Sequence, residues 1–251
     1  MTNTRPAPRF STDELARLLA LLEGADSVEL KLTVPDGDQR SAVRALHIDP
    51  LDAQLSQVFF LDTPDLLLNA RGVILRARRT KVGDDSVVKL RPVVPQELPD
   101  SLRARRGFGV EVDAMPGGFV CSGRLKSSLR PGKVKEAVYG DRAVRSLFNK
   151  GQRAFLAEHA PEGIGIEDLS VLGPITVLKL KFRPPGYDRR LVAELWTYPD
   201  GSRILELSTK CAPAEAFQVA AETRVYLEER GIDLSGEQAT KTRTALEFFS
   251  R

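Results

Sequence analysis

Ser27-Val28-Glu29-Leu30-Lys31-Leu32 alternates polar and apolar residues with period two. Successive side chains of a strand point to opposite faces, so this stretch reads as a strand with one apolar face and one ionic face of mixed sign. The same alternation returns in Arg76-Ala77-Arg78, Lys89-Leu90-Arg91, Glu111-Val112-Asp113, Lys179-Leu180-Lys181-Phe182-Arg183, Val192-Ala193-Glu194-Leu195-Trp196 and Glu206-Leu207-Ser208-Thr209-Lys210. Laid side by side, such strands build one surface holding cations and carboxylates together, which suits a polyanion accompanied by a metal. The bland alternative is an antiparallel sheet whose charged face lies in water. A transmembrane barrel needs evenly repeated segments of about ten residues and aromatic girdles. Aromatic residues make up only 6% of this chain, and clear helical stretches interrupt the strands.

The 251 residues can bury a large core, and 42% hydrophobic with 28% charged residues describes a globular protein. With 37 Lys and Arg against 34 Asp and Glu, the net charge of +3 gives no strong nucleic-acid signal. The two cysteines, Cys121 and Cys211, are too far apart for a metal-ligand spacing, and a buried free thiol is the expected fate of each. Met1 to Arg9 lacks the apolar stretch of a signal peptide, and no segment approaches the length of a membrane-spanning helix. The expectation is a cytoplasmic protein that does not enter a membrane.

Along the chain, Ser11-Thr12-Asp13-Glu14 is a capping-box pattern opening a helix with Leu15, Leu18, Leu19 and Leu22 on one face. A short helix is expected over 39–47. Strands are expected at 27–34, 57–61, 72–80, 86–92, 107–113, 175–183, 190–198 and 203–210, with a turn at Gly83-Asp84-Asp85 joining a cationic hairpin. Residues 118–172 read as a mostly helical insert, with a helix over 134–159 interrupted near Gly140 and Gly151. Two helices, 213–230 and 236–249, finish the chain. The division is therefore a tail and helix over 1–25 and one domain over 26–251.

Glu29-x-Lys31, then Phe60-Leu61-Asp62-Thr63-Pro64-Asp65 running into Leu75-Arg76-Ala77-Arg78, then Lys89-Leu90-Arg91-Pro92, then Glu111-x-Asp113, Lys179-x-Lys181, Glu194 and Glu206 follow one another in an order that resembles the CYTH proteins, or triphosphate tunnel metalloenzymes. The resemblance spans roughly residues 27 to 245, and its most specific part is the aromatic residue and Asp-Thr-Pro turn before the Leu-Arg-x-Arg strand. It implies an α+β fold, an eight-stranded antiparallel β tunnel with flanking helices, whose lumen is lined by these charges. It further implies that Lys31, Arg76, Arg78, Lys89, Arg91, Lys179 and Lys181 bind a linear triphosphate, while Glu29, Glu111, Asp113, Glu194 and Glu206 hold Mg2+ or Mn2+. Glu29 is then a metal ligand or the residue that orients attacking water. Members of that family hydrolyse inorganic triphosphate, thiamine triphosphate or RNA 5′ triphosphates, or cyclise ATP.

The sequence departs from the family at one telling place. Its first-strand signature is Glu-x-Glu-x-Lys, whereas this chain has Ser27-x-Glu29-x-Lys31, and Glu206-x-Ser208 likewise offers one carboxylate where many members have two. The remaining carboxylates can hold one cation, and a second would have a ligand fewer at each site. Three readings follow: a metal-dependent triphosphatase, a catalytically weak module that binds polyphosphate or a nucleoside triphosphate, and a class IV-like adenylate cyclase. The partner is a small triphosphate or polyphosphate, and the oligomeric state, a homodimer included, stays open. Lys241 reads as an exposed helix lysine in preference to a phosphate contact, Lys210 is divided evenly between surface and lumen, and His47 and His159 read as structural or exposed.

Overall fold

Nine strands close into a ring in the order β1-β5-β6-β4-β3-β2-β7-β8-β9. In the computed structural model, which describes residues 11–234, 238 and 241–250, they are β1 (Ser27–Val34), β2 (Gln54–Asp62), β3 (Val73–Thr80), β4 (Asp84–Leu90), β5 (Phe108–Met115), β6 (Gly118–Leu129), β7 (Ser170–Phe182), β8 (Leu191–Thr197) and β9 (Arg203–Cys211). The helices among the described residues are α1 (Thr12–Glu23), α2 (Gln39–Ala45), α3 (Leu67–Ala70), α4 (Asp100–Arg103), α5 (Lys133–Tyr139), α6 (Lys150–His159), α7 (Ala216–Glu229) and α8 (Lys241–Phe249). No helix is long and apolar enough to cross a membrane among these residues. The N-terminal tail and the expected start of the last helix near 236 lie outside the described residues.

The expected barrel with flanking helices is present, with nine strands in place of eight and one parallel contact. Both differences have one cause. The stretch 118–172, expected to be a mostly helical insert, opens with β6, which pairs antiparallel with β4 and β5. A ring of an odd number of strands cannot alternate direction throughout, so one neighbouring pair must run parallel. That pair is β1 and β5. The helices of the expected insert follow β6 as α5 and α6. Asp84 and Asp85, expected in the hairpin turn, lie at the start of β4.

Helices shelter the outer face of the barrel in sections. Ser11 caps α1 as its sequence indicates, its hydroxyl accepting from Glu14 N at 3.2 Å, and Leu18 and Leu22 pack with Val28, Val110 and Val112. Phe148 and Phe155, from the segment containing α5 and α6, cover Phe59, Leu75 and Val88. Tyr226 and Leu227 of α7, with Leu46 beyond α2, cover Leu32, Leu205 and Leu207. Each outward apolar row is the face opposite an ionic one, so the alternation that defines the strands also turns their charges inward.

The aromatic and Asp-Thr-Pro turn has a mechanical role. Asp62 is buried and accepts from the backbone N–H groups of Thr63, Leu68 and Asn69 at 2.8, 2.9 and 3.0 Å, while Thr63 Oγ1 accepts from Leu67 N at 2.9 Å. Asp62 and Thr63 therefore satisfy the free amides of α3. Their turn fixes how β2 feeds β3 and hence where Arg76 and Arg78 point.

Candidate functional site: an ion-paired barrel lumen

The parallel register of β1 and β5 sets Glu29 opposite Asp113 and Ser27 opposite Glu111. As a result, Glu29, Glu111 and Asp113 offer carboxylate oxygens that all lie within 4.8 Å of one another. β5 thus supplies, across the strand, an anion beside the position where β1 carries serine. Cations surround the trio. Lys31 Nζ lies 3.1 Å from Glu29 Oε2 and 2.8 Å from Asp113 Oδ1, Lys89 Nζ lies 3.5 Å from Asp113 Oδ2, and Arg91 pairs with the same oxygen. Lys210 pairs with Glu111, and Ser208 donates to Glu29 Oε1 at 3.2 Å.

The electrostatic balance of this group is visible in its protonation. Burial acts to raise the Glu111 carboxyl, but the hydrogen bond and charge of Lys210, joined by the charges of Lys89 and Arg124, bring it down to about 2. Glu29 is lowered in the same way, burial opposing and Lys31 prevailing. Lys89 is pulled well below its ordinary value, first by burial and then by Arg91 and Lys31 beside it. These are anions held ionised and cations under repulsion, an environment that a polyanion would relieve.

Glu194 and Glu206 do not join the trio. They face each other on β8 and β9, and α8 inserts Lys241 between them. Lys241 Nζ is 2.6 Å from Glu206 Oε1, pairs with Glu194, and lies 5.1 Å from the centre of the Trp196 ring. Lys179 Nζ reaches Glu194 Oε1 at 2.6 Å, and Trp196 Nε1 donates to Glu194 Oε2 at 3.2 Å. Burial pushes the Glu194 carboxyl up, and Lys241 and Lys179 overcome it, leaving it well below its ordinary value. Apolar residues of α8 fill the lumen end nearby: Ala245 and Leu246 pack with Val58, Phe60, Ile74 and Trp196.

A third group lies on β3, β4 and β6. Arg78 Nε donates to Asp85 Oδ2 at 2.9 Å, and Lys126 Nζ lies 3.8 Å from the same oxygen. Arg76 Nε is buried and has no hydrogen-bond partner among the described residues. Burial draws the Arg76 guanidinium below its ordinary value; Asp85, Glu194 and Glu29 oppose the change and Arg78 adds to it. Arg76 therefore lies within the field of all three groups. Lys181, by contrast, is exposed near the end of β7.

Sequence reasoning therefore found most of the lumen and missed part of it. Arg124 and Lys126 stand opposite Lys89 and Val87 on β6. Arg124-Leu125-Lys126 repeats the alternation of Lys89-Leu90-Arg91, and that was the available signal. Lys241 is not exposed but enclosed, its side chain 11% accessible. His159 donates through Nδ1–H to Phe155 O at 2.8 Å and packs edge-on against Phe155, a structural role.

The trio fits one hard divalent cation. Its donors are all carboxylate oxygens, the type that Mg2+ and Mn2+ prefer, and Asp113 Oδ1 is buried with Lys31 near it but without hydrogen-bond alignment. The second carboxylate pair already has Lys241 in place of a metal.

A closed barrel of nine strands, helices outside and charges of both signs within, is thus the class of structure defined here. No protein-family model and no curated protein matches the chain. Among solved structures, a candidate adenylyl cyclase from Hippeastrum, described as having a dominant triphosphatase activity, aligns with a TM-score of 0.64 and 18% identity over 88% of this chain and 95% of its own. A candidate adenylate cyclase from Bacillus halodurans aligns with a TM-score of 0.59 and 16% identity, covering 87% of this chain and 98% of its own. Both likenesses are of fold.

Proposed function

We propose that the chain is a CYTH-type triphosphatase: it binds a triphosphate along the barrel lumen and hydrolyses a phosphoanhydride bond. The observation that carries this reading is the Arg76 guanidinium, whose buried Nε has no hydrogen-bond partner among the described residues, in a lumen lined by Arg78, Lys89, Arg91, Arg124 and Lys126. Strand neighbours on one face are about 6.6 Å apart, so Arg76 with Arg78, and Lys89 with Arg91, can grip successive phosphates of an extended ligand. Each charge-assisted contact contributes about 1.5 to 3 kcal/mol, and several give tight binding without an apolar pocket. The Hippeastrum protein's triphosphatase description agrees with this chemistry.

Glu29, Glu111 and Asp113 would hold one Mg2+ or Mn2+, which when bound neutralises charge developing on phosphate oxygens and makes a water more nucleophilic. Ser208 and Lys31 hold the Glu29 carboxylate in place and keep it ionised, ready to accept a proton from attacking water. Lys31, Lys89 and Arg91 release Asp113 when they turn to phosphate.

A binding-only reading is favoured by one observation: Lys210 and Lys241 already occupy carboxylates that would otherwise be available to metal. Phosphate release from inorganic tripolyphosphate, thiamine triphosphate, ATP and long-chain polyphosphate, each with Mg2+ and with Mn2+, separates the readings. Release that chelator abolishes is expected from at least one of them. Saturable binding with no release from any substrate means a sensor, and cyclic AMP from ATP means a cyclase.

A further inference from the structure

Between α2 and the 3-10 turn Pro50–Asp52, the outer face of β7, β8 and β9 is left as a groove of about 280 Å3. Its floor is a row of leucines: Leu178, Leu195 and Leu205 stand opposite one another on three neighbouring strands. Leu180 and Ala193 make a second row beside them, and Val43, Ile48 and Pro50 form the walls. These floor residues alternate with Lys179 and Glu194, whose side chains point through the other face into the lumen. The groove and the lumen are therefore opposite sides of one wall.

The groove is polarised along its length. Arg40 and Arg44, one turn apart on α2, and Arg203 on β9 stand on its rim, and none makes an ion pair with another described residue. The turn that opens α2, Asp36–Asp38, rests on β9, whereas Pro50–Asp52 rests on β7. Beyond β7 the leucine row continues to Leu55 on β2, opposite Leu178 and 58% exposed, and Leu51, in the turn that rests on β7, is 92% exposed. One end is cationic and the other apolar, and about 10 Å, two strand spacings, separates the outer leucines of the floor.

We infer that this groove binds a medium-chain acyl carboxylate, its head paired with Arg40, Arg44 and Arg203 on the rim and its chain laid along the leucine row toward β2. A concave apolar site with a few convergent polar groups is the usual form of a small-molecule site, and guanidinium is the group suited to hold a carboxylate. The polarity disfavours a second copy of this chain as the occupant. A twofold axis through the groove would lay one copy's arginines on the other's leucines and desolvate them unpaired.

The probe is decanoate, titrated calorimetrically into the full chain with and without saturating tripolyphosphate. One molecule binds per chain in both conditions. Affinity falls about tenfold or more for the Arg40→Glu/Arg44→Glu variant, whose substitutions are on the surface, and by a similar factor for uncharged decanol. Leu195→Trp, which fills the groove, abolishes binding. No saturable binding by the wild type, equal affinity in the charge-reversed variant, or displacement by tripolyphosphate would overturn the assignment. So would a wild-type dimer, seen by sedimentation, that either variant dissolves, because the groove would then belong to a second copy.

Discussion

Ser27 stands beside Glu111 in the β1–β5 register and on the same face as Glu29. Ser27→Glu adds a hard anionic ligand next to the trio and should raise Mn2+ affinity about tenfold, read by paramagnetic resonance titration. Unchanged affinity in a folded variant would place residue 27 outside the metal centre. Glu111 carries a second prediction. Its carboxyl titrates at about 2 when folded against an ordinary 4.5, so its contribution to stability is complete above about pH 4.5 and is lost as pH falls from there toward 2. Lys210→Met raises the folded value, so the variant should be less stable than the wild type at pH 6, and the two should converge near pH 2. Denaturant unfolding across that range measures it; a gap that stays constant with pH would mean that Lys210 contributes through packing alone. At this scale the sequence was generous. The parity of each strand placed Glu29, Lys31, Arg76, Arg78, Lys89, Arg91, Glu111 and Asp113 on inward faces, because alternation is a local property. Which carboxylates meet is not local: it depends on the register of β1 with β5, 80 residues or so apart in the chain.

Strands with one covered face declared themselves by alternation and β2, covered on both faces, by its apolar run at 57–61, whereas β6 did not declare itself. β6 begins Gly118-Phe119-Val120-Cys121, where apolar residues on both faces hide the alternation that resumes at Arg124-Leu125-Lys126. β2 is apolar on both faces for a structural reason: Phe59 and Leu61 meet the outer helices while Val58 and Phe60 meet α8 inside the lumen end. The role of α8 was invisible for the same reason, since a helix that enters a barrel looks like any amphipathic surface helix until its partner is known. Lys241 makes that role testable. Lys241→Met leaves Glu194 and Glu206 facing each other with only Lys179 to compensate, and breaking a largely buried pair in this way should cost about 3 kcal/mol. Added Mn2+ should recover part of the loss if the two carboxylates can take a metal once the lysine is gone. Denaturant unfolding with and without Mn2+ reads both effects, and a variant as stable as the wild type would show that α8 is held by its apolar face alone.

For the whole molecule, the barrel solves one problem: it concentrates charges of both signs in an enclosed space without leaving them unpaired. Lys31, Lys89 and Arg91 share Asp113, Lys241 joins Glu194 to Glu206, and Lys126 and Arg78 share Asp85. Pairings that share one anion among several cations are poised for exchange, because an entering polyphosphate offers those cations further oxygens. Arg76 stands apart, its Nε buried and without a hydrogen-bond partner among the described residues. The measurement that bears most directly on the lumen as a triphosphate site is therefore calorimetric titration of tripolyphosphate into the wild type and Arg76→Met in Mg2+. We expect one ligand per chain and a loss of about ten- to a hundredfold in affinity for Arg76→Met, the value of one charge-assisted contact. Equal affinity in a variant that keeps its fold would contradict binding in the lumen.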